Sequence, residues 1–155
     1  MSAIGVFMKR RAFFLGSLFF LLPLTEAVKA SPVMSIGFDE MYEGNPILGL
    51  QFSAKLKSLA DKIVSVQGFM APPLKPEADF LVMTREPVSL CPFCNSDQDW
   101  PDNIIVVYLS KKQPFVQANR PIVVKGKMQL GSKTDPETGF VSLVRLVDAT
   151  FEVMK

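Results

Sequence analysis

Histidine is absent from the 155-residue chain, and that absence excludes more chemistry than any other feature of the sequence. Without imidazole there is no Ser-His-Asp triad, no Cys-His nucleophile pair and no His-ligated zinc or haem. There is one tryptophan, and there are two tyrosines and two cysteines, so indole, phenol and thiol groups are confined to a few positions. Charge is scarce too, at 21% of residues against 48% hydrophobic. A disordered chain would show the reverse balance. The length suits one domain and excludes a multidomain enzyme.

The net charge of +2 belongs to the N-terminal segment. Residues 1–30 carry Lys9, Arg10, Arg11 and Lys29 against Glu26. Taking these from the totals of 17 basic and 15 acidic groups leaves 13 and 14, a net of −1. The remainder has no basic excess to draw it to nucleic acid or anionic lipid. After Lys9-Arg10-Arg11 come thirteen uncharged residues, Ala12–Leu24, then Val28-Lys29-Ala30 with small or short residues before Ser31. That is the order of a secretory signal peptide, with a partial likeness to the twin-arginine export motif at Arg10-Arg11. Thirteen residues in a helix span about 20 Å, short of the roughly 30 Å hydrocarbon core, so membrane attachment is expected only through an uncleaved leader. The expected location is periplasmic or secreted.

Residues 31–49, rich in Gly, Pro and acids and without a period, predict an extended N-terminal arm whose Met34, Ile36, Phe38, Met41 and Tyr42 can pack on the domain or on a partner. Residues 50–155 form the domain. Phe52, Leu56, Leu59 and Ile63 recur at spacings of four, three and four, which predicts one short helix over Leu50–Asp61 with Ser53 as N-cap. Five strands follow, over Lys62–Met70, Asp79–Arg85, Asp102–Leu109, Pro121–Leu130 and Phe140–Val153. The run Ile104–Leu109 is apolar enough to be buried on both faces. Asp135-Pro136-Glu137-Thr138-Gly139 is a turn. Gly68 and Gly126 stand inside strands, where small barrels need bends to close. The reading is a mainly β fold, a small five-stranded OB-like Greek-key barrel with one short N-terminal helix.

Concentrated chemistry occurs in one loop, Cys91-Pro92-Phe93-Cys94-Asn95-Ser96-Asp97-Gln98-Asp99-Trp100-Pro101. Three readings compete. As a redox dithiol, Cys91 and Cys94 would want a following helix N-terminus to lower a thiol pKa, and the sequence after Cys94 is turn-like and acidic. As a metal site, Cys91, Cys94, Asp97 and Asp99 could hold a thiophilic divalent ion, though two sulfurs without imidazole make an incomplete zinc set. As a disulfide, the pair would stiffen the loop in an oxidising compartment. The structural reading carries the most weight, and no catalytic set is assigned. Phe93, Trp100 and Pro101 are a candidate binding platform, with Trp100 more readily read as a cap on the barrel end. Lys111-Lys112 reads as a solvated turn. Lys125 and Lys127 fall on one face of their strand, most simply the solvated one.

Gly68-Phe69-Met70-Ala71-Pro72-Pro73-Leu74-Lys75, Phe80-Leu81-Val82-Met83-Thr84, Cys91-Pro92-Phe93-Cys94, Val124-Lys125-Gly126 and Trp100-Pro101 together resemble the DUF3299 family of exported bacterial proteins of unknown function. The resemblance covers roughly Leu56 to Val153. It implies an OB-like domain in a periplasmic or lipoprotein setting, with some relatives accompanying ABC-transporter components linked to metal supply. No cysteine ends the leader here, which sets this sequence apart from the lipoprotein members. The expected function is an exported, non-catalytic binding or accessory module serving a transporter or metal-handling partner and no nucleic acid. The alternative is a thiol redox or metal-carrying protein using Cys91 and Cys94.

Overall fold

Strands form where apolar residues alternate with polar ones, as over Ile63–Met70, or run unbroken, as within Phe80–Thr84 and Ile104–Leu109. In the computed structural model, residues 32–44, 49, 51–73, 79–89 and 100–155 are described. Half of them are in strands. Three strands are two residues long: β1 (Met34–Ser35), β2 (Tyr42–Glu43) and β3 (Gln51–Phe52). The five long ones are β4 (Ile63–Met70), β5 (Phe80–Thr84), β6 (Ile104–Leu109), β7 (Pro121–Thr134) and β8 (Val141–Val153). Each overlaps one of the five expected strands. β7 runs past its expected end at Leu130, because it stays paired with β8, through a register shift after Leu130, as far as Thr134 opposite Val141.

The long strands close into a ring. β4 pairs with β5, β5 with β6 and β7 with β8, all antiparallel, while β6 pairs with β8 in parallel. β4 also pairs with β7, from Ile63 opposite Lys127 to Phe69 opposite Pro121, and this seals the circuit. β4 serves β7 along its length and β5 only at its end, beside Gly68. A Cβ at Gly68 would lie 2.6 Å from the Thr84 carbonyl oxygen, so only glycine lets β5 approach there. A bulge lies in β8. Lys125 faces Thr150 and Lys127 faces Val147, so Gly126 alone stands opposite Asp148 and Ala149. Asp148 takes the positive φ of 50° that this bulge requires.

The interior holds Val64 and Val66 of β4, Met83, Ile105 and Val107 of β5 and β6, and Ile122, Val124, Met128, Val144 and Leu146 of β7 and β8. Alternation puts Phe80, Val82, Ile104 and Val106 on the opposite face of β5 and β6. They are buried there as well, in a second cluster with Ala71 and Phe140. The β5–β6 ribbon is therefore apolar on both faces, as the run Ile104–Leu109 suggests.

The helix differs from expectation. The helix α1 is only Ala54–Ser58, capped by Ser53, whose Oγ accepts from the Leu56 N–H at 3.0 Å. Leu56 and Leu59 face the core, but Phe52 belongs to β3 and Ile63 is more than half exposed in β4. The four-residue stripe spans a strand, a helix and another strand, so its helical spacing is a coincidence of three elements. Apolar residues of the N-terminal arm pack on the domain, one of the two placements expected for them. Ile36, Phe38 and Met41 are buried. β1 runs parallel to β4 along the edge that β5 leaves uncovered. A 3-10 turn at Phe38–Glu40 is fixed by the Glu40 carboxylate, which accepts from the Gly37 N–H and pairs with Lys55. Those two contacts, the Gly37 bond foremost, hold the Glu40 carboxyl below its ordinary range. Pro32–Lys155 forms one compact unit.

Candidate functional site

Cys91, Phe93, Cys94, Asp97 and Asp99 lie outside the described residues, and with them the disulfide, redox and metal readings of the loop. Trp100 and Pro101, at the loop's end, are described and half-buried. The Trp100 ring packs against both apolar clusters. Its indole N–H donates to the Tyr42 hydroxyl at 2.8 Å, and the Tyr42 ring leans on Phe52 at 5.8 Å. The return from the loop is thereby tied to the β2–β3 hairpin. Among the described residues no group of three acids or cysteines is placed to hold a metal, and no helix is long and apolar enough to cross a membrane.

A groove of about 510 Å³ opens at the end of the β5–β6 ribbon, between Pro73 and Asp79 on one side and Ser110–Phe115 on the other. A small-molecule or peptide side-chain site has this order of size. Met70, Phe80, Leu81 and Tyr108 line it, and Phe115 stands at its rim with half its surface exposed. Lys111 and Lys112 add positive charge, and Lys112 sits 3.8 Å from Asp79 in solvent. The far wall is firmly held. Gln113 mimics a strand residue toward Phe151, donating to its carbonyl and accepting from its N–H, both at 3.0 Å. The Val116 N–H donates to the Met70 sulfur at 3.4 Å. An exposed phenylalanine on so anchored a loop is a displayed side chain.

Tyr108 joins this groove to a polar cluster on the β7–β8 hairpin. Its ring meets Phe80 at 5.6 Å, and Phe80 meets Phe140 at the same distance. The Lys133 ammonium lies 4.9 Å from the Tyr108 ring centroid. The Tyr108 hydroxyl donates to the Asp135 carboxylate at 3.3 Å, long for a hydroxyl donor. Burial first, and the Asp135 charge second, push the Tyr108 phenol up to about 12, with the Arg145 charge pulling the other way. Burial raises the Asp135 carboxyl, but hydrogen bonds from Thr138 and Glu137 and from Tyr108 outweigh it and hold the group below its ordinary range. Those bonds, at 2.8 and 2.9 Å from Thr138, build the turn expected at 135–139.

The groove was not legible in the sequence. Phe80, Tyr108 and Phe115 come from separate segments and meet because β5 pairs with β6. The available signal was Phe115, the one aromatic residue in the stretch Lys111–Asn119, shortly after the lysines read as a solvated turn. Lys125 and Lys127 stay outside the groove, with Lys127 paired to Asp61 at 3.1 Å.

The sequence matches no protein-family model and no curated protein. The fold is similar to that of a DUF3299 family protein from Pseudomonas aeruginosa PAO1, solved by crystallography. The TM-score is 0.52 over 81% of this chain and 98% of that one, at 10% identity. The likeness to DUF3299 proteins expected from the sequence is thus met at the level of the fold.

Proposed function

We propose that this protein is an exported, non-catalytic binding module, an OB-type barrel that uses the groove beside β5 and β6 to hold a segment of a protein partner. The strand circuit supports the barrel reading. Taking β4 as first strand, the order is first, second, third, fifth, fourth and back to first, with the third and fifth parallel. That is the Greek-key order of OB barrels, whose second and third strands and adjoining loops bind ligands. The likeness to a DUF3299 protein points the same way.

The observation that carries the binding role is the groove itself, with Phe115 exposed at its rim and Lys111 and Lys112 beside it. Apolar walls with a basic edge suit a partner segment that combines an apolar side chain with an acidic one. The outer face of β5–β6, where OB proteins lay nucleic acid, is filled here by Phe140. A mature charge of −1 also opposes nucleic acid. A leader of the signal-peptide pattern suits a partner outside the cytoplasm, and a transporter or metal-handling component fits that setting.

A photo-crosslinking residue placed at Phe115 in the producing bacterium tests this. The expected product is a discrete adduct with an envelope protein, weakened by Lys111→Glu/Lys112→Glu. The same probe at Met154, exposed but remote from the groove lining, serves as control. Adducts of equal yield and pattern from both positions, or a protein retained in the cytoplasm, would overturn the proposal.

A further inference from the structure

We propose that Arg145 and Lys133 form an oxyanion-binding site on the β7–β8 hairpin, taking a carboxylate or phosphate group. Arg145 is more than nine-tenths buried. Its Nε donates to Gln129 Oε1 at 3.1 Å, and its Nη1 donates to the carbonyls of Gly131 at 2.7 Å and Ser142 at 3.4 Å. Every one of these acceptors is neutral. No carboxylate lies within ion-pair distance of it among the described residues, whose pairs are Lys55–Glu40, Lys112–Asp79 and Lys127–Asp61. A guanidinium has five N–H donors in a planar fork. Three are used here, and the two on Nη2 have no partner among the described residues.

A buried cation with neutral partners is costly, and nature ordinarily supplies an anion. Arg145 still keeps 8% of its surface in contact with solvent. A second cation stands close by. Lys133 pairs with Ser142 across the hairpin, and its ammonium lies over Tyr108. The Arg145 charge is near enough to be felt at the Tyr108 hydroxyl. Asp135 is the acid of this cluster, and it is already engaged by Thr138, Glu137 and Tyr108. Arg145 therefore has no acid partner among the described residues, and the two free donors of Nη2 can each reach an anion oxygen, with the Lys133 ammonium on the same hairpin to share the charge. The site stands apart from the groove proposed for a partner, with Tyr108 between them, so each can fail without the other.

Amide NMR on the full chain, titrated with inorganic phosphate and separately with acetate at ionic strength held constant by sodium chloride, tests the assignment. Saturable shifts at Gly131, Lys133 and Ser142 with at least one anion are expected. Phosphate alone would identify a phosphorylated ligand, and both anions a general oxyanion site. Arg145→Gln should weaken binding by about tenfold or more, as for the loss of a charged hydrogen bond. Lys133→Ala, at an exposed position, should weaken it by about two- to fivefold and leave the fold intact. If Arg145→Gln does not fold, Lys133→Ala decides the matter. No saturable shift with either anion, or unchanged affinity in Lys133→Ala, would overturn the proposal.

Discussion

Single residues set limits that the strand pattern alone does not. Gly68 is the sharpest case, because the Thr84 carbonyl, the Phe38 ring and the Met83 side chain all crowd the place a Cβ would take. The carbonyl belongs to a paired strand and cannot swing aside. Gly68→Ala should therefore destabilise by about 1–3 kcal/mol, the scale of overpacking, read as a lower urea midpoint at an unchanged slope. Tyr108 makes a prediction about pH. Its folded pKa of about 12 stands above the ordinary 10.0, so the neutral phenol is the form the fold favours. That contribution is complete below about pH 10 and is lost as pH rises toward 12. Phenolate absorbance should show one tyrosine ionising late. Asp135→Asn removes the charge, the second cause of the rise, but leaves burial, so it should bring the transition down only part of the way toward 10.0. A full return to the ordinary value would mean that charge, and not burial, governs the site.

Elements show which parts of a sequence announce themselves. α1 is five residues long, too short to persist without help, and its help is Ser53. The Ser53 hydroxyl accepts from the Leu56 N–H and donates to the Glu40 carbonyl at 2.6 Å, joining the helix to the 3-10 turn. Ser53→Ala loses both bonds, and a cost of about 1–2 kcal/mol in denaturant unfolding is expected. Ser53→Asp, which can accept but cannot donate, should recover part of it. Ser53 was readable as a cap because its side-chain chemistry is local. The strands were readable for a similar reason. β4 keeps strict alternation from Val64 to Met70, and β7 and β8 flank a turn written in Asp135-Pro136-Glu137-Thr138-Gly139. Ile36, Phe38 and Met41 gave no such signal, since spacings of two and three fit neither a helix nor a strand. They are buried because β1 and the 3-10 turn settle beside β4, an arrangement no local period encodes. The groove and the Arg145 cluster were hidden for the same reason. Phe80 and Tyr108 lie opposite each other across the β5–β6 register, and Arg145 faces Val106 and Gln129 on two different neighbours.

At the scale of the whole molecule, the ring alone does not account for the fold. β5 reaches β4 only at Phe69 and Met70, so the N-terminal half of β4 would face solvent on that edge without β1. Ile36, Phe38 and Met41 cover the interior there, and Trp100 is tied to Tyr42 in the same region. Burying each of those three side chains contributes about 2 kcal/mol, and together they rival much of the net stability of about 5–15 kcal/mol that a domain has to lose. The N-terminal boundary of the folded unit is thus sharply placed. A chain starting at Ser31, the expected first residue after leader removal, keeps all of these contacts and should unfold in one cooperative transition. A chain starting at Gly49 lacks β1, the 3-10 turn and Tyr42, and should show no cooperative transition in urea while exposing enough apolar surface to bind a hydrophobic dye. If the shorter chain melts with the midpoint of the longer one, the N-terminal segment is an appendage and the ring is stable alone. The predicted difference follows from geometry: two strands that diverge from a common partner leave a wedge, and this chain fills the wedge with its own first residues.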